Sequence, residues 1–202
     1  TPPSAISDIS APSRRTRTIS FEWSSPFDNS GRVSSYEIRY LENDTNIKTR
    51  WLNANLISNL ITPQNPNQKE FLVLGNLKPA TNYTIAIRSK DTKGNISDFS
   101  NVFTIRTKAI PPKPKLVTVQ FGSVILSWSA DPYADGSLIY RVVRSDSPLV
   151  SATDANAIVI ATTTQTTIID STVISNKTYY YGIVSYVDEG EYSPMETIIV
   201  TT

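Results

Sequence analysis

Cysteine and histidine are both absent from the 202 residues, and methionine occurs once. Without a thiol or an imidazole there is no disulfide, no thiolate nucleophile, no histidine base and no cysteine–histidine zinc set. Most hydrolase triads, zinc enzymes and haem sites drop out together. The missing cysteine does not set the compartment, because β-sandwiches of about 90 residues fold without bridges. Also lacking are an apolar run near the roughly 20 residues that span a bilayer and any long apolar pattern of helical period. Helix should therefore be minor. No signal peptide is present, yet the chain starts at Thr1-Pro2-Pro3 without an initiator Met, so we expect a fragment of a longer parent.

What is present points to strands. Charged residues make up 18% and hydrophobic ones 39%, which excludes a disordered chain. Turn-forming Gly, Pro, Asn and Asp recur between short β-rich runs, and the length suits two ordinary domains, each able to bury a core. The net charge of +1 hides a split. Residues 1–108 hold 14 Lys/Arg against 9 Asp/Glu, a net of +5, and residues 109–202 hold 5 against 9, a net of −4. Opposite charge favours association of the halves within or between chains, weakened by screening beyond about 10 Å at 0.1 M salt. Nothing in this balance demands nucleic acid.

Leu77 to Asn101 is the most informative stretch. Tyr83, Ile85 and Ile87 alternate with Thr84, Ala86 and Arg88, the pattern of a half-buried strand. A Leu, a Pro-containing turn at Pro79 and a Tyr six residues after the Leu form the sequence pattern of a tyrosine corner. The run Thr81-x-Tyr83-x-x-Ala86-Ile87-Arg88-x-x-Asp91-x-x-Gly94-Asn95-x-Ser97-x-x-Ser100-Asn101 resembles the fibronectin type III family, most closely the version found in secreted bacterial multidomain proteins.

The remaining strands follow in order. Ala5, Ile6 and Ile9 are expected in a short first strand, then Ile19, Phe21 and Trp23 in a second and Tyr36, Ile38 and Tyr40 in a third. Ser24 to Gly31 is turn chemistry. Between Leu41 and Lys69 lies an excursion, read as a short strand over 47–52, a strand or loop over 53–61 that includes Leu60, and an exposed turn over 62–68. Trp51, Ala54 and the Pro63-Gln64-Asn65-Pro66 return match in kind an excursion of the resembling modules. The second half repeats the plan: Val124, Leu126 and Trp128 align with Ile19, Phe21 and Trp23; Tyr140 and Val142 with Tyr36 and Ile38; Tyr179, Tyr181 and Ile183 with Tyr83, Ile85 and Ile87. Its corner departs, with Val173-Ile174-Ser175-Asn176 in place of Leu77 and Pro79.

The resemblance implies an all-β chain of two seven-stranded immunoglobulin-like (fibronectin type III) β-sandwiches in tandem. The expected division is a domain over 1–108, a Pro-rich, semi-rigid linker over 109–115 and a domain over 116–202. It also implies a non-catalytic extracellular or cell-surface module pair without a cofactor, which spaces or presents neighbouring domains of its parent or adheres to protein or polysaccharide. Carbohydrate or partner binding through an exposed aromatic is the alternative reading, and a receptor or self-assembling surface component is a third.

Candidate residues are few. Trp51 is the first suspect for stacking on a glycan or partner, against packing on its own module's edge beside Leu52, Leu56 and Ile57. Arg14, Arg15 and Arg17 are candidates for an acidic partner, against a solvated loop. Glu22 and Glu37 form a carboxylate pair on strands neighbouring in the pattern, but both sit at outward phases next to basic residues, against which stands the reading of a solvated face. Asp131, Asp135, Asp188, Glu189 and Glu191 fall in two loops at one end of the second half, where calcium competes with plain solvation; no regular calcium loop is present. Four N-x-[ST] sequons, at Asn43, Asn82, Asn95 and Asn176, permit glycosylation in a eukaryotic secreted protein.

Overall fold

A computed structural model of the chain describes residues 1–29, 31–58, 61–133 and 137–202. Leu60 and Asp135 lie outside the described residues. The chain divides into two compact units, Thr1–Thr107 and Lys108–Thr202.

The first unit contains β1 (Ser10–Arg14), β2 (Ile19–Ser24), β3 (Ser35–Glu42), β4 (Asn55–Leu56), β5 (Lys69–Leu74), β6 (Asn82–Lys90) and β7 (Phe103–Arg106). They form a three-stranded sheet in the order β1-β2-β5 and a four-stranded sheet in the order β4-β3-β6-β7, every pair antiparallel. Period-two alternation decides which residues enter the space between the sheets. Ile19, Phe21 and Trp23 point in from one sheet, and Tyr36, Ile38, Tyr83, Ile85 and Ile87 from the other. The Trp23 ring meets Tyr36 edge-on at 5.4 Å.

The second unit repeats this plan with β8 (Pro114–Gln120), β9 (Ser123–Trp128), β10 (Ile139–Ser145), β11 (Ile158–Thr163), β12 (Thr167–Asp170), β13 (Thr178–Tyr186) and β14 (Glu196–Thr201). Its sheets run β12-β9-β8 and β11-β10-β13-β14. Trp128 and Tyr140 reproduce the indole–phenol contact, again at 5.4 Å. The one helical element among the described residues is a 3-10 turn at Trp51–Asn53.

Several expectations need correction. The first strand starts at Ser10; Ile6 and Ile9 are buried in the core but hang on Asn101, whose side-chain amide bonds both the N–H and the C=O of Ile9. A side chain stands in for a ladder rung there. Residues 47–52, expected as a strand, form turns over 47–50 and then the start of the 3-10 element, and only Asn55–Leu56 of the excursion pairs with β3. Residues 109–115, expected as a linker, are held by the second unit: the Ile110 N–H donates to Asp131 at 2.9 Å, the Ile110 C=O accepts from Ser185, and Pro114 opens β8. Despite its different sequence, the second corner matches the first. Tyr83 Oη accepts from Lys78 N–H, and Tyr179 Oη from Ile174 N–H. Three residues before each Tyr the backbone turns left-handed, at Ala80 (φ 46°) and at Asn176 (φ 61°).

Each unit is closed by a threonine. Thr107 Oγ1 accepts from the Thr81 N–H and donates to the Lys78 carbonyl. Thr202 Oγ1 accepts from the Lys177 N–H and donates to the Ile174 carbonyl. The groups left open by the corner turn are thus satisfied by the last residue of the unit in both cases.

Candidate functional site

The outer face of the four-stranded sheet in the first unit is built by the excursion. Leu41, on β3, and Ala86, on β6, point outward, and the chain from Ile47 to Ala54 folds back over them. Trp51 is 7% exposed and meets Phe99 edge-on at 5.0 Å. The Arg39 guanidinium lies 5.5 Å from the Trp51 ring centroid and bonds Glu37 at 2.7 Å, while Arg88 lies 4.8 Å from Phe99. Lys48 covers Phe99 at 6.0 Å. Trp51 is thus a packing residue held under the Arg39 guanidinium, and its ring is not offered as an open stacking platform. Packing on its own module, the alternative set against the platform reading, describes it.

The three arginines lie at and just after the end of β1. Arg14 Nη1 donates to the Arg106 carbonyl at 2.8 Å, tying β1 to the end of β7. Arg15 is exposed and its N–H closes a turn with Thr18, while the Arg17 carbonyl receives the Leu77 N–H. Glu22 and Glu37 lie on different sheets of the sandwich, with Ser10 and Arg39 as their respective partners. They are not neighbours, and their outward phases direct them to opposite sides.

The acidic residues of the second unit are also divided among protein donors. Asp131 accepts the Ile110 and Tyr133 N–H groups; Glu189 takes Arg141 and Tyr192; Glu191 lies 3.8 Å from Lys108. No group of three metal-ligating side chains occurs among the described residues. In the first unit the Asp91 carboxylate gathers the Lys93 and Asn95 N–H groups and the Asn95 amide, shaping the loop; these bonds, that of the Asn95 side chain foremost, hold it below the usual carboxylate range.

One buried constellation escapes pattern reading. Asp170 accepts from Arg144 at 2.6 Å, from Tyr181 at 2.7 Å and from the hydroxyl of Thr172. Burial by itself raises the Asp170 carboxyl, but the bonds from Thr172 and Tyr181 and the charge of Arg144 outweigh it, so it stays ionised below the ordinary range. Burial, with the carboxylate beside it, pushes the Tyr181 phenol well up. The matching positions of the first unit, by strand register, are Tyr40, Leu74 and Ile85. A ring pair between Tyr40 and Tyr83 at 5.8 Å is replaced by Arg144 lying 4.7 Å from the Tyr179 ring. Only the ionisable residue types at inward phases signalled this exchange. A smaller version occurs in the first unit, where buried Glu70 accepts from Tyr36, whose phenol is pushed up to about 12, chiefly by burial.

Chemically, these groups are occupied in holding the fold. A shallow recess between β3 and β6, lined by Tyr36, Glu37, Arg88, Lys90 and Ile96 among others, has a volume near 60 Å³ and holds no nucleophile paired with a base. Among the described residues no helix is long and apolar enough to cross a membrane.

A family model and a solved two-domain structure agree with the fold. The model of the family described as "Fibronectin type III domain" matches residues 2–106. Among solved structures, a two-domain fibronectin type III segment of chicken tenascin is 19% identical, covers 98% of this chain and 99% of its own length, and superposes with a TM-score of 0.51. The FN1–FN3 domains of chicken CNTN1 are 16% identical over 98% of this chain and 66% of theirs, at a TM-score of 0.39.

Proposed function

Since the chain belongs to the fibronectin type III family, whose domains are generally non-catalytic and commonly serve as spacers or interaction modules, we propose that it is an extracellular or cell-surface module pair that spaces and presents neighbouring domains of a longer protein. The observation that carries this reading is the closure of two successive sandwiches on separate cores, each ended by its own threonine clasp. Charge and polar chemistry support it. The buried ionisable groups described above, Asp170, Arg144 and Glu70, are committed to structural bonds, which keeps the module's shape. Protein or polysaccharide partners would be met by the outer faces.

A spacer must bear load module by module. Pulling the intact chain by its ends in a force spectrometer should give two separate unfolding events, each releasing about 30 nm of chain at roughly 3.5 Å per residue. One merged event, or extension without a resisting peak, would overturn the spacer reading.

A further inference from the structure

On the outer face of the first unit's four-stranded sheet, positive charge outruns its partners. Arg88 and Lys90 stand two residues apart on β6, both outward, and the register sets them beside Glu37 and Ser35 of β3. These four residues line the recess of near 60 Å³, and Ile96, paired across from Lys90 and 43% exposed, forms its side. Arg88 is fixed in place by the fold itself: its Nε donates to the Ser97 carbonyl at 3.1 Å, and its guanidinium lies 4.8 Å from the Phe99 ring. Among the described residues its Nη groups have no protein acceptor, and neither Lys90 nor Lys48, which covers the same ring, forms an ion pair. Of the carboxylates on this stretch, Glu37 is already held by Arg39 at 2.7 Å, and Asp98 is a single exposed charge.

We propose, on the reading that protein partners meet the outer faces, that this recess docks an acidic, extended peptide segment of a partner, whose glutamates at alternate positions are bound by Arg88 and Lys90. Spacing selects the ligand. Side chains two apart on a strand stand about 6.8 Å from each other, and an extended peptide lying along β6 repeats its own side chains on one face at the same interval. Carboxylates at i and i+2 therefore meet both cations, Arg88 through its Nη donors and Lys90 as a point charge, while the glutamate methylenes rest on Ile96. Residues at i and i+1 point to opposite faces and cannot meet both. A sugar chain is disfavoured because stacking needs an open ring: Trp51 is buried, and Phe99 is covered by Arg88 and Lys48. The acidic second unit of another copy is disfavoured too, since Asp146, Glu189 and Glu191 already hold Lys177, Arg141 and Lys108.

The test is a titration of the intact chain, followed by amide NMR shifts at low salt, with a short capped peptide carrying two glutamates separated by one threonine. Shifts should concentrate at residues 35–37, 88–90 and 96, saturate with a Kd on the order of 1 mM, and weaken as salt is added. A peptide with the same two glutamates adjacent should bind about tenfold more weakly, the loss of one charged hydrogen bond. Lys90→Gln, a change at an exposed side chain, should weaken binding by a similar factor, and Arg15→Gln, at the turn after β1, should leave it unaltered. Equal affinity for the adjacent-glutamate peptide, or equal loss in the two variants, would reduce the site to net charge and overturn the proposal. Tighter binding of a sulfated oligosaccharide at the same residues would overturn the peptide as its ligand. Absence of shifts at these residues with about 10 mM peptide also overturns it, and leaves the spacer reading to be decided by the two unfolding events.

Discussion

The phenol oxygen of Tyr179 accepts the backbone N–H of Ile174 at 3.0 Å, the same bond that Tyr83 makes with Lys78 at 2.8 Å. The second corner has neither the Leu nor the Pro of the first, so the bond and the left-handed residue three positions before the Tyr define the corner. Tyr179→Phe should destabilise the second unit by about 1–2 kcal/mol, because a part-buried N–H loses its partner, and Tyr83→Phe should do the same to the first. Denaturant unfolding followed by probes in each unit checks this; the unsubstituted unit's midpoint should not move.

Asp170 couples the second core to pH. Its carboxyl titrates lower in the folded chain than the roughly 3.9 of an unfolded aspartate. Folding therefore gains stability from its ionised form above that value, and the gain is lost as pH falls through the folded value. The second unit's melting temperature should drop below about pH 4, and Asp170→Asn should be less stable at neutral pH but flatter across this window. Arg144→Ala leaves the buried carboxylate without its cation and should cost about 3 kcal/mol, whereas the triple change Arg144→Tyr, Asp170→Leu, Tyr181→Ile, copying the first unit, should be neutral or stabilising. Thermal melts against pH distinguish these outcomes.

Gly182 occupies the place of Ala86, and the difference is steric. A Cβ there would stand 2.4 Å from Met195 Sδ and 3.0 Å from Val143 Cγ2. Gly182→Ala, ordinarily favourable in a strand, should cost roughly 1–3 kcal/mol by overpacking. In a Met195→Ala background the same substitution should cost far less, and a double-mutant cycle measures the coupling.

Trp51→Ala removes a buried ring from between Phe99 and Arg39. It should destabilise the first unit by about 3–5 kcal/mol and leave the second unit's midpoint unchanged. A stable variant with lost glycan or partner binding would instead return Trp51 to the role of an exposed platform.

Strand phase was readable because alternation survives divergence. Ile19, Phe21 and Trp23 and their counterparts Val124, Leu126 and Trp128 all enter the cores as their spacing requires. The excursion was not, since residues 47–54 pack through a 3-10 turn with no period to detect, and its anchors come from elsewhere in the chain: Arg39 on β3, Arg88 on β6 and Phe99 in the segment between β6 and β7. Ser97 and Ser100 stood in the recognisable run without a stated role. Their hydroxyls accept the N–H groups of Ser89 and Ile87, completing β6 where β7 has not yet begun. The Arg144–Asp170–Tyr181 set was hidden for a related reason: a polar residue at an inward phase reads as an exception until its partners across the sandwich are known. Glu22 and Glu37, set aside as a pair in favour of a solvated face, lie on different sheets because strands consecutive in sequence switch sheets here.

Two self-sufficient sandwiches are the basis of the account, and separating them tests it most directly. Residues 1–107 and 108–202 should each be expressed alone and melted, followed by tryptophan fluorescence from Trp23 and Trp51 in one and Trp128 in the other. Each half is expected to give a single cooperative transition. A half that is unfolded without its neighbour would contradict the account, because its core would then depend on contacts outside its own sheets.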